Sequence, residues 1–275
     1  MFQTYFLPVL IFGLVGVLGG ILLTVASKVF AVETDERLEA AGEALPQINC
    51  GACGYAGCSN YAEAVVKDGA AINLCKAGGQ DTVDKLAALM GVSADAAAAE
   101  VAVVRCGGHT QAAAVKYIFA GTPSCRAASR FYSGNKQCTH GCLGFGDCSV
   151  VCPSGAITVE NGLARVDKFK CTGCGLCTKA CPQKIIEVRS AGNYVDVTCS
   201  STEMGKVTKS VCSHGCIGCK ICERKCPVSA VKVERNLAHI DYSLCTGCGL
   251  CTQNCPTGAI EDCRIPAKNP APQTA

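Results

Sequence analysis

A duplication dominates this sequence, because residues 125–187 and 199–261 repeat one cysteine pattern at an offset of 74 positions. A Cys-Pro pair in the first copy, Cys152-Pro153, returns in the second as Cys226-Pro227. Each copy also carries a longer run that ends in Cys-Pro. The cysteines of these runs are Cys171, Cys174, Cys177 and Cys181 in the first copy and Cys245, Cys248, Cys251 and Cys255 in the second. The repeat therefore predicts two similar modules.

The spacing C-x2-C-x2-C-x3-C-P is typical of [4Fe–4S] ligands in bacterial two-cluster ferredoxins, where the fourth cysteine ligates the other cluster. The second copy fits this rule throughout and is expected to bind two clusters. One predicted ligand set is Cys216, Cys219, Cys222 and Cys255, and the other is Cys245, Cys248, Cys251 and Cys226. Short strands are expected at the VKVE and AHID segments between the two halves.

The first copy departs from the rule at one position, where Phe145 stands in place of Cys219. Cys138 lies four residues before Cys142 and is expected to replace the lost ligand. The predicted set is then Cys138, Cys142, Cys148 and Cys181, and the second set is Cys171, Cys174, Cys177 and Cys152. A [3Fe–4S] centre on three cysteines is the alternative for the first set.

A further cysteine group precedes the repeat, with the spacing C-x2-C-x4-C-x16-C. Its members are Cys50, Cys53, Cys58 and Cys75. The glycines between them let the backbone wrap closely around sulfur. We expect a fifth [4Fe–4S] cluster here, with a structural zinc site as the alternative.

Five cysteines remain, namely Cys106, Cys125, Cys199, Cys212 and Cys263. Cys125 and Cys199 match at the offset of the repeat. The first four form a candidate set for a sixth cluster, and buried free thiols are the alternative. Iron analysis separates the two, since six clusters need about 24 iron atoms per chain and five need about 20.

The 25 cysteines in 275 residues have metal-type spacings, so disulfides are not expected, and thiolate ligands favour a reducing compartment. Net charge is only +3 and tryptophan is absent, which argues against a nucleic-acid-binding protein. Lysines and arginines near the cluster cysteines either compensate the charge of the clusters or form a docking surface for an acidic redox partner.

An apolar segment of about 20 residues, Leu7 to Ala26, precedes the first basic residue, Lys28. A secretory signal would begin with basic residues, and Met1 to Phe6 has none. We therefore expect a retained single-pass anchor in the cell membrane, with the iron–sulfur body in the cytoplasm.

The predicted fold class is α+β, with a transmembrane helix, a small cluster domain, an Ala-rich helical segment and two ferredoxin modules in tandem. The predicted boundaries are 1–28 for the anchor, 29–45 for a linker, 46–80 for the N-terminal cluster domain, 81–124 for the helical segment, 125–190 and 199–264 for the modules, and 265–275 for a disordered tail.

The order of these parts resembles the B subunit of the Rnf electron-transport complex, in its long, clostridial-type form. The resemblance rests on the membrane helix, LPQINCGACGYAGC, NLCKAGG, CTHGCLGFGDC and the tandem runs, and it covers nearly the whole chain. It implies a membrane-bound ferredoxin:NAD⁺ oxidoreductase that translocates Na⁺ or H⁺, with reduced ferredoxin as electron donor and other membrane subunits as partners.

We find no G-x-G-x-x-G fingerprint after a predicted strand. The expectation is therefore that this chain relays electrons without catalytic residues of its own, while other subunits bind NAD⁺. A polyferredoxin subunit of another membrane enzyme, such as a hydrogenase, and a membrane-anchored redox sensor are the alternatives.

Overall fold

The computed structural model describes residues 2–29, 35–93 and 99–264; the predicted disordered tail lies outside this range. The helices are α1 (Phe2–Val29), α2 (Glu36–Ala44), α3 (Cys58–Lys67), α4 (Gly79–Met90), α5 (Cys125–Ser129), α6 (Asp147–Val150), α7 (Leu176–Ala180), α8 (Gly205–Val211), α9 (Ile221–Lys225) and α10 (Leu250–Gln253). The strands are β1 (Glu100–Val104), β2 (Ile157–Glu160), β3 (Leu163–Val166), β4 (Ile186–Ser190), β5 (Val195–Val197), β6 (Val231–Glu234), β7 (Leu237–Ile240) and β8 (Ile260–Asp262).

Helix α1 is long and apolar enough to cross a membrane. Its window Leu10–Ser27 has a mean hydropathy of 2.3, and none of that window is buried against the rest of the chain. The apolar side chains along it, such as Phe12 and Leu22, are exposed. A helix that is apolar on all sides and has no buried face against the described part of the chain is suited to lipid rather than to water.

The N-terminal cluster domain packs α2, α3 and α4 around one small core. Tyr61 and Val65 of α3 and Leu86 of α4 are almost fully buried there. Helix α3 begins at Cys58, and α2 begins after Asp35, whose carboxylate accepts the N–H of Arg37 as an N-terminal cap. This core holds the first cysteine group on its own, separate from the repeat.

The Ala-rich segment is not helical throughout, which corrects the predicted helical segment 81–124. Helix α4 ends at Met90, where Gly91 adopts a left-handed conformation. The residues Glu100–Val104 form strand β1, which pairs antiparallel with β4 at the end of the first module. Alternating valines and a distant partner strand outweigh the helix propensity of the alanines here.

The two modules share one architecture of paired strands. A hairpin, β2–β3 in the first and β6–β7 in the second, lies beside a second antiparallel pair, β1–β4 or β5–β8. The strands predicted in the second module are present as β6 and β7. Each module has its own core, in which cysteines pack with apolar side chains such as Leu163 or Leu237.

Strand register shows which parts of the copies correspond. Val104 of β1 lies opposite Ile186, and Val197 of β5 lies opposite Ile260. Ile186 and Ile260 match at the offset of 74, but Val104 and Val197 are 93 positions apart. The first copy therefore contains 19 additional residues. Because Cys138 and Cys212 again match at 74, this insertion lies between β1 and residue 138.

Candidate metal centres

The four cysteines of the N-terminal domain lie together. Cys58 begins α3 and donates its backbone N–H to Asn49 Oδ1 at 2.8 Å. Burial raises the pKa of the Cys75 thiol, and the neighbouring thiols of Cys58, Cys53 and Cys50 act in the same direction. The sequence-predicted set is thus brought to one place at the edge of the α3 core.

The second module also brings most cysteines of each predicted set close together. Burial raises the pKa of Cys222 to about 11, and the thiols of Cys216, Cys219 and Cys255 add to the shift. Burial likewise raises the pKa of Cys251 to about 11, with Cys245 and Cys248 as its neighbouring thiols. The remaining predicted member of that set, Cys226, accepts the N–H of Ala230 at 3.2 Å.

One group of the first module follows the same pattern. Burial raises the pKa of Cys177 to about 11, and the thiols of Cys174, Cys171 and Cys152 raise it further. Cys152 accepts the N–H of Ala156 at 3.3 Å, as Cys226 accepts that of Ala230. The N–H of Ala102 in β1 reaches Cys171 Sγ at 3.3 Å, so the strand takes part in this site.

The other group of the first module differs from the predicted set. One cavity is lined by Cys125, Cys142, Cys148 and Cys181, and Cys138 is not among its lining residues. Burial raises the pKa of Cys148 to about 12, and the contributing thiols are Cys142, Cys125 and Cys181. The structure thus corrects the prediction, because Cys125 lies where Cys138 was expected.

The insertion carries Cys125 to this position on helix α5. The Asp147 carboxylate, one residue before Cys148, accepts the backbone N–H of Cys125 at 2.8 Å and that of Arg126 at 3.0 Å. It also accepts the hydroxyl of Ser124 at 3.0 Å. Burial raises the pKa of Asp147, but these hydrogen bonds outweigh it and lower the pKa overall. Sequence analysis did not identify Asp147; its matched position holds Ile221.

Phe145 belongs to the core of the insertion. Its ring meets Phe119 edge to face with centroids 5.5 Å apart, and Phe119 also packs on Phe131. The buried part of this cluster consists of Cys125, Ala128 and Leu143. The aromatic side chain that removes one ligand from the run therefore helps to hold the segment that supplies another.

A second cavity lies between the two modules, and we call it the junction cavity. The four cysteines that line it are Cys106, Cys138, Cys199 and Cys212. This group differs from the predicted sixth set, because Cys138 stands in place of Cys125. Cys263 lies apart, with its thiol donating to the buried carboxylate of Asp196 at 2.7 Å.

These groups suit iron–sulfur clusters by their donor chemistry. Each is a set of thiols in a largely apolar core, and backbone N–H groups are donated to several of the sulfurs. Within the described ranges, no three Cys, His, Asp or Glu side chains converge closely enough to hold a single metal ion. Thiolates that bind four different iron atoms of a cubane do not meet at one point, in contrast to the ligands of a zinc ion.

Comparison with family models locates iron–sulfur signatures in three parts of the chain. The model named FeS, which describes an Fe–S cluster, matches residues 45–77. Models of 4Fe-4S binding domains match residues 164–187, 213–229 and 238–261. These matches include the N-terminal group and most of the ferredoxin-type runs.

Proteins of known name are similar over most of the chain. The B subunit of the Na⁺-translocating ferredoxin:NAD⁺ oxidoreductase complex of Acetobacterium woodii is 40% identical over 89% of this chain and 74% of its own length. The B subunit of the proton-translocating complex of Clostridium ljungdahlii is 42% identical over 88% of this chain and 86% of its own. The B subunit of an ion-translocating oxidoreductase complex of Methanosarcina acetivorans is 39% identical over 82% and 86%.

Proposed function

The chain belongs to the family of B subunits of Rnf-type ion-translocating ferredoxin:NAD⁺ oxidoreductases, and we propose that it carries electrons from reduced ferredoxin to other subunits of such a complex. The observation that carries this proposal is the grouping of cysteines in fours within separate cores of one chain. Bound [4Fe–4S] clusters would supply one-electron transfer at these sites. The protein holds and insulates them.

Five ligand sets belong to this proposal. They are Cys50, Cys53, Cys58 and Cys75; Cys125, Cys142, Cys148 and Cys181; Cys152, Cys171, Cys174 and Cys177; Cys216, Cys219, Cys222 and Cys255; and Cys226, Cys245, Cys248 and Cys251. Each set combines buried with partly exposed thiols. Backbone N–H groups aimed at Cys152, Cys171 and Cys226 stabilise the anionic sulfur of a bound cluster and raise its reduction potential.

Helix α1 anchors the chain in this proposal. Its 18-residue apolar window is long enough for the hydrocarbon core, and its exposed faces would contact lipid or the membrane subunits of the complex. The iron–sulfur body would face the cytoplasm, where thiolates stay reduced and ferredoxin is available. The relatives couple electron transfer to Na⁺ in one case and to H⁺ in another, so we make no assignment of the ion.

A reduction experiment tests the proposal. The full chain, purified without oxygen within its membrane complex, is mixed with reduced ferredoxin, and the bleaching of the iron–sulfur absorbance and the EPR signals of reduced clusters are followed. We expect rapid reduction, with NADH formed by the intact complex. Reduction by dithionite without any reduction by ferredoxin would overturn the proposed role.

A substitution in the same preparation tests whether the N-terminal cysteines bind a cluster. Cys53→Ala should remove about four iron atoms and one cluster signal, while the signals of the two modules remain. Cys263→Ala is the matched control, because this cysteine donates to Asp196 and lines neither of the two cysteine-lined cavities. Full retention of iron in Cys53→Ala would contradict the N-terminal assignment.

A further inference from the structure

The junction cavity brings together four cysteines outside the runs of ferredoxin type. None of Cys106, Cys138, Cys199 and Cys212 falls in a segment that matches an iron–sulfur family model. The cavity is the same size as the cavity of the Cys125 group. Each of the ferredoxin-type sets lies within a single module, whereas this group takes two cysteines from each.

The four cysteines occupy equivalent positions in the two copies. Cys106 follows β1 by two residues and Cys199 follows β5 by two residues, and the register of the strand pairs matches. The N–H of Arg105 is donated to Ile185 O at 2.7 Å, and that of Thr198 to Ala259 O at 2.8 Å. Cys138 and Cys212 match at the offset of 74. The cavity is therefore built symmetrically from both modules.

Hydrogen bonds to sulfur repeat the same symmetry. Cys106 accepts the N–H of Cys142 and that of Gly108, both at 3.3 Å. Cys199 accepts the N–H of Ser201 at 3.5 Å, as Cys106 accepts that of Gly108 two residues later in the chain. Backbone donors aimed at sulfur suit thiolates rather than neutral thiols, which are weak acceptors.

Two glycines leave the space in front of the sulfurs open. A Cβ added to Gly108 would come within 3.4 Å of Cys106 Sγ and 3.5 Å of Cys212 Sγ. One added to Gly141 would come within 3.5 Å of Cys106 Sγ and 3.6 Å of Cys138 Sγ. The sulfurs of three different segments thus face the same small volume.

A buried cation lines the same cavity. Lys136 is 3% exposed, and its ammonium donates to Gly108 O at 2.7 Å and to Gly162 O at 2.8 Å. The described residues give it no carboxylate partner in an ion pair. A lysine held at this depth needs negative charge nearby. Thiolate ligands of an anionic cluster would provide that charge.

We propose that Cys106, Cys138, Cys199 and Cys212 bind a sixth [4Fe–4S] cluster that the two modules share. The proposal rests on the proposed function, since it adds a carrier to the same electron-relay chain. On binding, each thiol loses its proton and forms one iron–sulfur bond. The site lies between the modules, so its cluster would carry electrons from one ferredoxin module to the other.

Pairs of substitutions test the grouping in the full-length protein purified without oxygen. The wild type should contain about 24 iron atoms per chain. Cys106→Ala combined with Cys138→Ala should lose about four, because both residues serve one cluster. Cys106→Ala combined with Cys125→Ala should lose about eight, because two clusters are lost. EPR of the reduced protein should show one and two missing signals, respectively.

The second half of the site gives an independent variant. Cys199→Ala with Cys212→Ala should again lose about four iron atoms, and Cys263→Ala should lose none. The inference is overturned if the wild type binds about 20 iron atoms, or if the losses of the two Cys106 pairs are reversed. Either result leaves the five-cluster relay intact, whereas failure of ferredoxin to reduce the wild type would reject the relay itself.

Discussion

The first cysteine group of each module has the same proposed role but draws on different parts of the chain. In the second module all three cysteines of the run, Cys216, Cys219 and Cys222, belong to seven consecutive residues around one turn. In the first, Phe145 takes the middle place, and an inserted helix brings in Cys125 from 17 positions before Cys142. The comparison teaches that a cluster site is defined by the positions of sulfur in space, and that the chain can reach those positions by different routes.

The largest effect is expected when the ligand from the insertion, Cys125, is replaced by a ligand within the run, at position 145. Cys125→Ala and Cys219→Ala should each remove about four iron atoms per chain, because each removes one of four ligands. In Cys125→Ala combined with Phe145→Cys, the first module has the run of the second, and we expect the iron to return. Iron analysis and EPR of the purified chain measure both steps.

The control for this exchange is Phe145→Cys alone, which should keep the wild-type iron content. Persistent loss of iron in the combined variant would show that the first run cannot use a ligand at position 145. In that case the two modules differ in backbone path as well as in the source of the ligand.

A smaller effect is expected from removing the hydrogen bonds that hold the inserted segment around Cys125. Asp147→Ala removes the acceptor of three hydrogen bonds that hold Ser124, Cys125 and Arg126. Loss of such a cap costs about 1 kcal/mol. The cluster on Cys125 should therefore form but lose iron to a chelator several-fold faster than in the wild type.

Asp35→Ala provides the matched control, since Asp35 caps helix α2 of the N-terminal domain through the N–H of Arg37. The rate of iron release to a chelator, followed by absorbance, should be unchanged in this variant. Equal acceleration in both variants would mean that the Asp147 contacts have no specific part in holding Cys125.

The smallest expected effect concerns the buried cation, which the first module alone contributes. Lys136 has Ser210 at its matched position. Lys136→Met should lower the midpoint potential of the junction cluster, because a nearby positive charge favours the reduced, more negative form. Redox titration followed by EPR should show the largest shift in the signal of the junction cluster, while Lys209→Met, at an exposed lysine of α8, should shift none.

Much of the candidate sites could be predicted from local spacing. Within each run that ends in Cys-Pro, and within the N-terminal group, the cysteines are close to one another in sequence. Their side chains therefore lie together with little dependence on the tertiary fold. Strand β6 of the hairpin β6–β7 could also be predicted from the sequence, because its valines alternate with polar residues.

The two errors in the cysteine sets have one physical source, the insertion of 19 residues. It makes Cys125 match Cys199 at the offset of the repeat, although Cys106 is the residue at the equivalent place after the strand. As a result, the spacing assigns Cys138 to the ligand set in which the structure has Cys125, and Cys125 to the set in which it has Cys138. The pairing of β1 with β4, across more than 80 residues, shows that Cys106 corresponds to Cys199. Local sequence spacing does not reveal this long-range pairing. A valine-rich segment ending shortly before Cys106, as before Cys199, is the available signal.

The symmetric construction of the junction cavity also imposes an order on maturation. Cys106 and Cys212 are more than 100 residues apart, so the growing polypeptide exposes the N-terminal half of the cavity long before the C-terminal half leaves the ribosome. A ferredoxin-type site closes within one module, but this one closes only when both have folded and docked. Its metallocentre would be the last to be installed, and its presence would mark a finished subunit.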